Sequence, residues 1–411
     1  MSTEPVPFVS AIPVTRTSST PLIDTVARVL SVLVLVALIL ARFRPLEGAA
    51  LQAMSLSIAA ASAVQISQRP GRIEMALTVL AASAVALFYI SLGWAGTRLA
   101  PTSIILAASL GVGTILVLGT KAAWSTAHLK TFLLASFCPV MVVFTSVSLA
   151  VAAGWQPLVY DNYLYRFDAS LGFQPSFVLG RAFLRWHPLW VLALWVYGSL
   201  PLAIVLSFIV LARRRGGRLG PAVTAVALTA VIGFALYQVC PAMGPLYGFS
   251  RDFPIRVPAN VPVAIFGANL DIPRNAMPSL HVAWAFVLFW NLRRERIWLR
   301  FAAFAYFLIT VMATMGFGEH YFVDVVVGVP LALAVQGCAT RDWRTAAGAF
   351  ALVGGWLAYC RFGLPLLPPA APWGWVAVSG SLALCVMAAL ILDRHQVRGW
   401  RRLETGEPAV A

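Results

Sequence analysis

The stretch RNAMPSLHVAWAF, Arg274 to Phe286, heads one apolar run, and GFGEHYFVDVVVG, Gly316 to Gly328, heads another. Both place ionisable side chains at the mouth of a segment suited to a bilayer, where such groups are costly and default to function. In the second, His320 and Asp324 are four apart, so on a helix they share one face. The carboxylate would accept the proton of one imidazole nitrogen and fix the tautomer. The other nitrogen is then left as nucleophile or base. A structural His–Asp pair gluing helices together suits that segment alone equally well. In the first stretch Pro278 suits the opening turn of a helix. Asn275 or Ser279 can cap that turn, and His281 lies one turn inside. A helix N-terminus with free N–H groups is a site for an anion, phosphate being the usual guest.

The rest of the chain fits this setting. Of 411 residues, 60% are hydrophobic and only 11% charged. A soluble chain carries roughly 25% charge. This argues against a cytosolic enzyme, a secreted domain or a nucleic-acid binder, and for an all-α, multi-pass integral membrane protein. With breaks placed at charged and Pro/Gly-rich points, about twelve spans emerge. They lie near 26–42, 48–66, 75–95, 102–120, 131–153, 188–212, 221–240, 278–292, 297–316, 321–338, 345–360 and 373–392. Residues 1–24, rich in Ser, Thr and Pro, read as a disordered cytoplasmic tail. The expected organisation is that tail, an N-terminal four-helix region over 25–125, a catalytic core over 126–340, and two further helices with a basic tail over 341–411.

The chain has 30 Lys and Arg against 15 Asp and Glu. With both termini in the cytoplasm, 20 of the 30 basic residues fall on inner segments, including Arg213–Arg215 with Arg218 and Arg293–Arg294 with Arg296 and Arg300. The reverse orientation would put both arginine clusters outside, against the positive-inside bias. A bacterial-type plasma membrane suits this reading, with loops 155–187 and 241–277 and the turn 317–320 on the outer face. Spans eight and ten then run the same way, so His281 and His320 meet above one cavity with Asp324 behind. Two histidines, a carboxylate and a phosphate-ready helix end make a phosphoryl-transfer constellation. No further Cys or His lies near enough in sequence to complete a metal site, so no metal is expected. The rival from another class is a transporter using the same residues as a proton relay. The five cysteines lie in apolar runs without a CxxC pair and read as packing residues; a Cys240–Cys360 disulfide is conceivable. The aromatic and charged loop around Tyr160, Tyr163, Tyr165 and Phe167 reads either as an interfacial helix guiding a lipid sideways or as an ordinary aromatic belt.

At Ala276-Met-Pro-Ser-Leu-His281 and Gly318-Glu-His-Tyr-Phe-Val-Asp324 the chain resembles the type 2 phosphatidic acid phosphatase superfamily. It looks closest to the inositolphosphotransferase branch, which includes inositol phosphorylceramide synthase. Tyr237 to Pro245 and Tyr160 to Gly172 also look like segments of that branch. The resemblance covers roughly 131–338, the superfamily's six-helix core. It implies that His320 is the nucleophile, Asp324 orients it and His281 protonates the leaving group. Ser279 and the N–H groups around Leu280 would hold phosphate. It further implies no cofactor, a phospholipid or lipid-linked phosphate as substrate, and water or a lipid or polyol hydroxyl as acceptor. Two departures stand out: a basic K-x6-RP element is missing near 237–245, and Thr314 stands where an arginine is expected. The phosphotransferase branch shares both losses. Arg274 is the first candidate for a replacement cation, followed by Arg256, Arg251 and Arg166.

Overall fold

The computed structural model describes residues 49–92, 102–123, 125–213, 218–364 and 371–405; the expected tail 1–24 and first span 26–42 lie outside them. Four helices come first: α1 (Ala49–Ser67), α2 (Arg72–Ser91), α3 (Thr102–Ala122) and α4 (Thr126–Trp155). A loop region follows with α5 (Asp161–Ala169) and α6 (Pro175–Arg185), then α7 (His187–Gly198), α8 (Leu200–Ala212) and α9 (Leu219–Tyr237). After the short α10 (Pro245–Gly248) come α11 (Leu280–Leu292), α12 (Ile297–Gly316), α13 (Phe322–Ala339), α14 (Trp343–Ala358) and α15 (Ala371–Thr405).

Seven of these helices are long and apolar enough to cross a bilayer, or eight if α7 and α8, bent by 58°, count as one span. This fits an integral multi-pass membrane protein. The expectation of about twelve spans is not met by this measure among the described residues. The helices near 278–292 and 345–360 exist but are 13 and 16 residues long, while α1, near 48–66, runs for 19 residues, of which Leu56–Ser67 form the described apolar stretch. Short helices are tolerated at membrane depth when protein, not lipid, surrounds them. Every residue of α11 from Leu280 to Leu292 is buried or half-buried.

Helix α13 lies at the centre, packed against α9, α11, α14 and α15. Between helices in lipid there is no hydrophobic driving force, so association rests on close packing at small residues. Gly328 of α13 is such a point. A Cβ there would lie 2.8 Å from the Ser279 carbonyl and 3.2 Å from Val282 Cβ of α11. Gly233 of α9 does the same for Leu280, whose methyls would be 2.4 Å from an added Cβ. The start of α11 is thereby wedged between α9 and α13.

The connection before α11 is fastened to the connection after α4. Two-residue strands β1 (Leu158–Val159) and β2 (Phe266–Gly267) pair antiparallel, with Leu158 opposite Gly267 and Val159 opposite Phe266. Ala268 N–H donates to the Pro157 carbonyl (2.9 Å) and Tyr160 N–H to the Pro241 carbonyl (2.9 Å).

At the far end of α11, Arg293 and Arg294 both pair with Asp393 of α15, and Arg218 pairs with Glu295 at 3.6 Å. All five cysteines are free thiols, four of them buried, so the conceivable Cys240–Cys360 disulfide is not formed.

Candidate active site

The two motif-bearing helices begin side by side. Ser279 N–H donates to the Asp324 carbonyl at 3.1 Å, which ties the first turn of α13 to the residue that caps α11. Ser279 is the N-cap of α11, its hydroxyl accepting from Val282 N–H at 3.4 Å. Pro278 therefore precedes the cap and does not occupy the first turn. His281 is the second helical residue, not one turn in. The N–H groups of Leu280 and His281 belong to the first turn and have no carbonyl of their own helix to reach.

His320 lies just before α13, whose N-cap is Tyr321, so it and Asp324 do not meet as neighbours on a helix face. Their approach, Nδ1 to Oδ2, is 3.7 Å, an ion-pair distance and too long for a hydrogen bond. Asp324 Oδ2 instead accepts from Tyr321 N–H at 2.7 Å. The partner that fixes the imidazole is the Ala276 carbonyl, 2.8 Å from His320 Nδ1. A carbonyl only accepts, so Nδ1 carries the proton and Nε2 carries the lone pair. Nε2 has no hydrogen-bond partner, nor has Asp324 Oδ1, although His320 is 1% exposed and Asp324 0%.

The His281 and His320 rings lie 6.4 Å apart, centroid to centroid. His281 stacks on Tyr197 of α7 at 4.2 Å, and the Tyr197 hydroxyl lies 3.4 Å from His281 Nδ1. A hydroxyl both donates and accepts, so it can serve this ring whether neutral or charged. Tyr197 carries no motif, and only the fold brings α7 to the histidines. Ser176 of α6 adds a contact from above, donating to the His320 carbonyl at 2.8 Å. The Thr314 carbonyl accepts the N–H groups of Glu319 (3.1 Å) and His320 (3.2 Å), so Thr314 shapes the turn through its backbone. Burial pushes the Glu319 carboxyl above its usual range.

Arg274 departs from expectation. It is 0% exposed and is bonded to backbone carbonyls on every side. Nε donates to Gln156 (3.0 Å), Nη1 to Ile272, and Nη2 to Ala268 (3.2 Å) and Asn269 (3.0 Å). These bonds hold the loop in front of α11 and leave one of five guanidinium protons for anything else. Arg274→Ala would strip partners from several carbonyls. The expected cost is about 3 kcal/mol or more in stability, read as a lowered thermal unfolding midpoint in detergent. A phosphate clamp would instead show as a raised KM with the midpoint unchanged.

The aromatic loop is also placed differently. In α5 the residues Asp161 to Tyr165, Phe167 and Asp168 are buried, so their side chains face protein and form no lipid-facing aromatic belt. The amphipathic surface helix is α6. It buries Phe177, Gly180 and Phe183 and exposes Val178, Arg181, Leu184 and Arg185.

Two carboxylates of α5 reach the site's frame. Asp161 accepts from Met243 N–H (3.0 and 3.1 Å), Gly244 N–H (2.8 Å) and the Tyr321 hydroxyl (3.0 Å). Asp168 accepts from Phe322 N–H (2.7 Å) and Val323 N–H (3.2 Å), the free donors of the first turn of α13. Burial pushes the Asp161 carboxyl up to about 7 and Asp168 well above the usual carboxylate range.

The start of α13 is thus filled by the protein's own carboxylates, while at the start of α11 the Leu280 N–H lies against the Tyr237 hydroxyl and the His281 N–H remains as the first-turn donor. Among the described residues no group of three His, Cys, Asp or Glu is placed to hold a metal ion. No curated protein and no solved structure matches the chain. Residues 162–338, which carry both histidines and Asp324, match the family model described as the PAP2 superfamily, and this supports an enzyme of the phosphatase or phosphotransferase type acting on lipid phosphate.

Proposed function

We propose that the protein is a membrane phosphotransferase that moves a phosphoryl-containing group from a lipid-linked phosphate through a phosphohistidine on His320, at the extracytoplasmic face. The observation that carries this reading is the Ala276–His320 hydrogen bond. It leaves Nε2 as an unpartnered lone pair buried opposite a second histidine. In the first step the Nε2 lone pair attacks phosphorus, the bond from phosphorus to the leaving oxygen breaks, and His281 gives that oxygen a proton. In the second, an acceptor hydroxyl returns a proton to His281 and its oxygen attacks phosphorus. The P–N bond breaks and His320 is regenerated.

Bonding of Nε2 to phosphorus turns the ring into a cation. Asp324, 3.7 Å from Nδ1, would stabilise that cation by charge, while Ala276 continues to hold the proton. The phosphate would sit at the start of α11 on the His281 N–H, and on the Leu280 N–H in exchange for its bond to the Tyr237 hydroxyl. Ser279 contributes by capping that turn, and Arg274 by holding the loop before it. The acceptor is read as a lipid or polyol hydroxyl, in the manner of an inositolphosphotransferase.

The test uses purified full-length protein, a lipid labelled in its phosphate, and candidate acceptors. An acid-labile, base-stable adduct on His320 is expected, with label passing to a hydroxyl acceptor faster than to water. Release of inorganic phosphate alone would make the enzyme a phosphatase. Substrate transport without any adduct would favour the proton-relay reading and sink this one.

A further inference from the structure

We propose that Asp161 and Asp168 are positioning residues that set the tautomer and placement of His320, Asp161 through the hydrogen-bond partner of its ring and Asp168 through the backbone that carries it. The proposal rests on the reading of His320 as nucleophile. The two residues are seven apart, two turns along one face of α5, and both are 0% exposed.

The path from Asp161 is a chain of backbone bonds. Its carboxylate holds the N–H groups of Met243 and Gly244, which fixes the turn after α9. In that turn the Ala242 carbonyl accepts Ala276 N–H at 3.0 Å. The Ala276 carbonyl in turn accepts from His320 Nδ1 at 2.8 Å. The Met243 N–H and the Ala242 carbonyl share one peptide plane, and the N–H and carbonyl of Ala276 belong to adjacent planes joined at its Cα, so the lone pair on Nε2 depends on a carboxylate three hydrogen bonds away. Asp161 also holds the hydroxyl of Tyr321, the residue after His320. The path from Asp168 is shorter. It binds the first two helical N–H groups of α13, two and three residues beyond His320.

Both functions need an acceptor-only group. Asparagine at either site keeps one acceptor oxygen and turns an amide NH2 toward N–H donors. The groups facing Asp161 are the Tyr321 hydroxyl and the Met243 and Gly244 N–H groups. Asp324, Cys240 and Arg274 are the other titratable or charged groups within electrostatic reach. Protonation of Asp161 near pH 7 replaces one acceptor by a donor, so its hold on the turn weakens as pH falls through that value.

The experiment is histidine-selective 15N NMR of the full-length protein in detergent, alongside kcat and KM on a lipid phosphate. Wild-type His320 is expected as the Nδ1–H tautomer above pH 7, drifting to a mixture as pH falls. Asp161→Asn is expected to give the mixture at every pH. Asp161→Asn and Asp168→Asn should each lower kcat at least about tenfold with KM within about threefold, since a 1 Å misplacement can cost about a hundredfold.

An unchanged tautomer and kcat in both folded variants would overturn the proposal. So would a change in KM alone, which would make these residues substrate contacts. If neither variant folds, Asp161→Glu and Asp168→Glu, which keep an acceptor-only group but displace it, are read in the same way, and a wild-type tautomer and kcat in both count against the proposal. If the wild type forms no adduct and turns over no lipid phosphate, the proposed function fails, while the NMR result still decides the positioning roles.

Discussion

Replacing His320 by alanine is expected to reduce lipid-phosphate turnover by at least about 10³-fold and to eliminate the phosphoryl adduct. Loss of a covalent nucleophile removes the whole two-step route, and in a well-studied hydrolase such a change costs about 10⁶ in kcat. The fold should tolerate the change: the ring hydrogen-bonds to the Ala276 carbonyl, while the backbone of this turn is held by Thr314 and Ser176. The companion variant His281→Ala makes the test sharp. His281 supplies a proton to the leaving oxygen in this scheme, so its loss matters most when that oxygen is a poor leaving group. With an activated substrate whose leaving group departs unprotonated, His281→Ala should still form the adduct and stall, whereas His320→Ala should form none. A labelled adduct surviving in the His320 variant would remove His320 from the nucleophile role.

The meeting of the two motifs was legible in the sequence because it depends on little. Two spans of the same direction begin at the same depth, and the polar residues at their heads then share a layer. The Ser279–Asp324 backbone bond is that layer made physical. What was not legible is how His320 is held. The i,i+4 argument presumes a helix through both residues, yet α13 starts at Phe322 and leaves His320 in the turn before it. The partner is then a backbone carbonyl 44 residues earlier, and carbonyls leave no mark in a sequence. Arg274 was misread for a related reason. Arginine beside a phosphate motif suggests a clamp, but its acceptors are loop carbonyls, including one 118 residues upstream at Gln156. In α5 the aromatic residues suggested a surface, and Asp161 and Asp168 among them were not singled out. The chain instead buries that helix and sends α6 outward. The count of twelve spans is not confirmed, because length and apolarity alone pass over protein-enclosed helices such as α11, which need fewer apolar residues than lipid-facing ones.

Gly244→Ala should be the most damaging change outside the histidines, even though Gly244 has no side chain to lend to chemistry. Its φ of +91° with ψ of 163° lies in a region that is essentially reserved for glycine. That strain alone costs about 1–3 kcal/mol. A Cβ there would also stand 2.3 Å from the Glu319 carbonyl oxygen, 2.6 Å from its carbon and 2.8 Å from the Gly318 oxygen. These are backbone atoms and cannot swing aside as a flexible side chain can. Relief requires the turn that carries Glu319 and His320 to move, or the turn after α9 to withdraw. The first displaces the nucleophile. The second pulls Gly244 N–H from Asp161 and Leu246 N–H from the Gly318 carbonyl, bonds of 2.8 Å each. The expected result is a loss of several kcal/mol in stability and at least about a hundredfold in turnover. Two other glycines separate the causes. Gly172 has φ of +90° but open space around it, so alanine there meets strain without collision. Gly267 has open space and no positive φ, so alanine there should be nearly silent. Thermal unfolding in detergent and lipid-phosphate turnover should therefore rank the variants Gly244, Gly172, Gly267 from most to least affected. A Gly244→Ala protein as active as Gly267→Ala would mean that the turn after α9 does not set the position of His320.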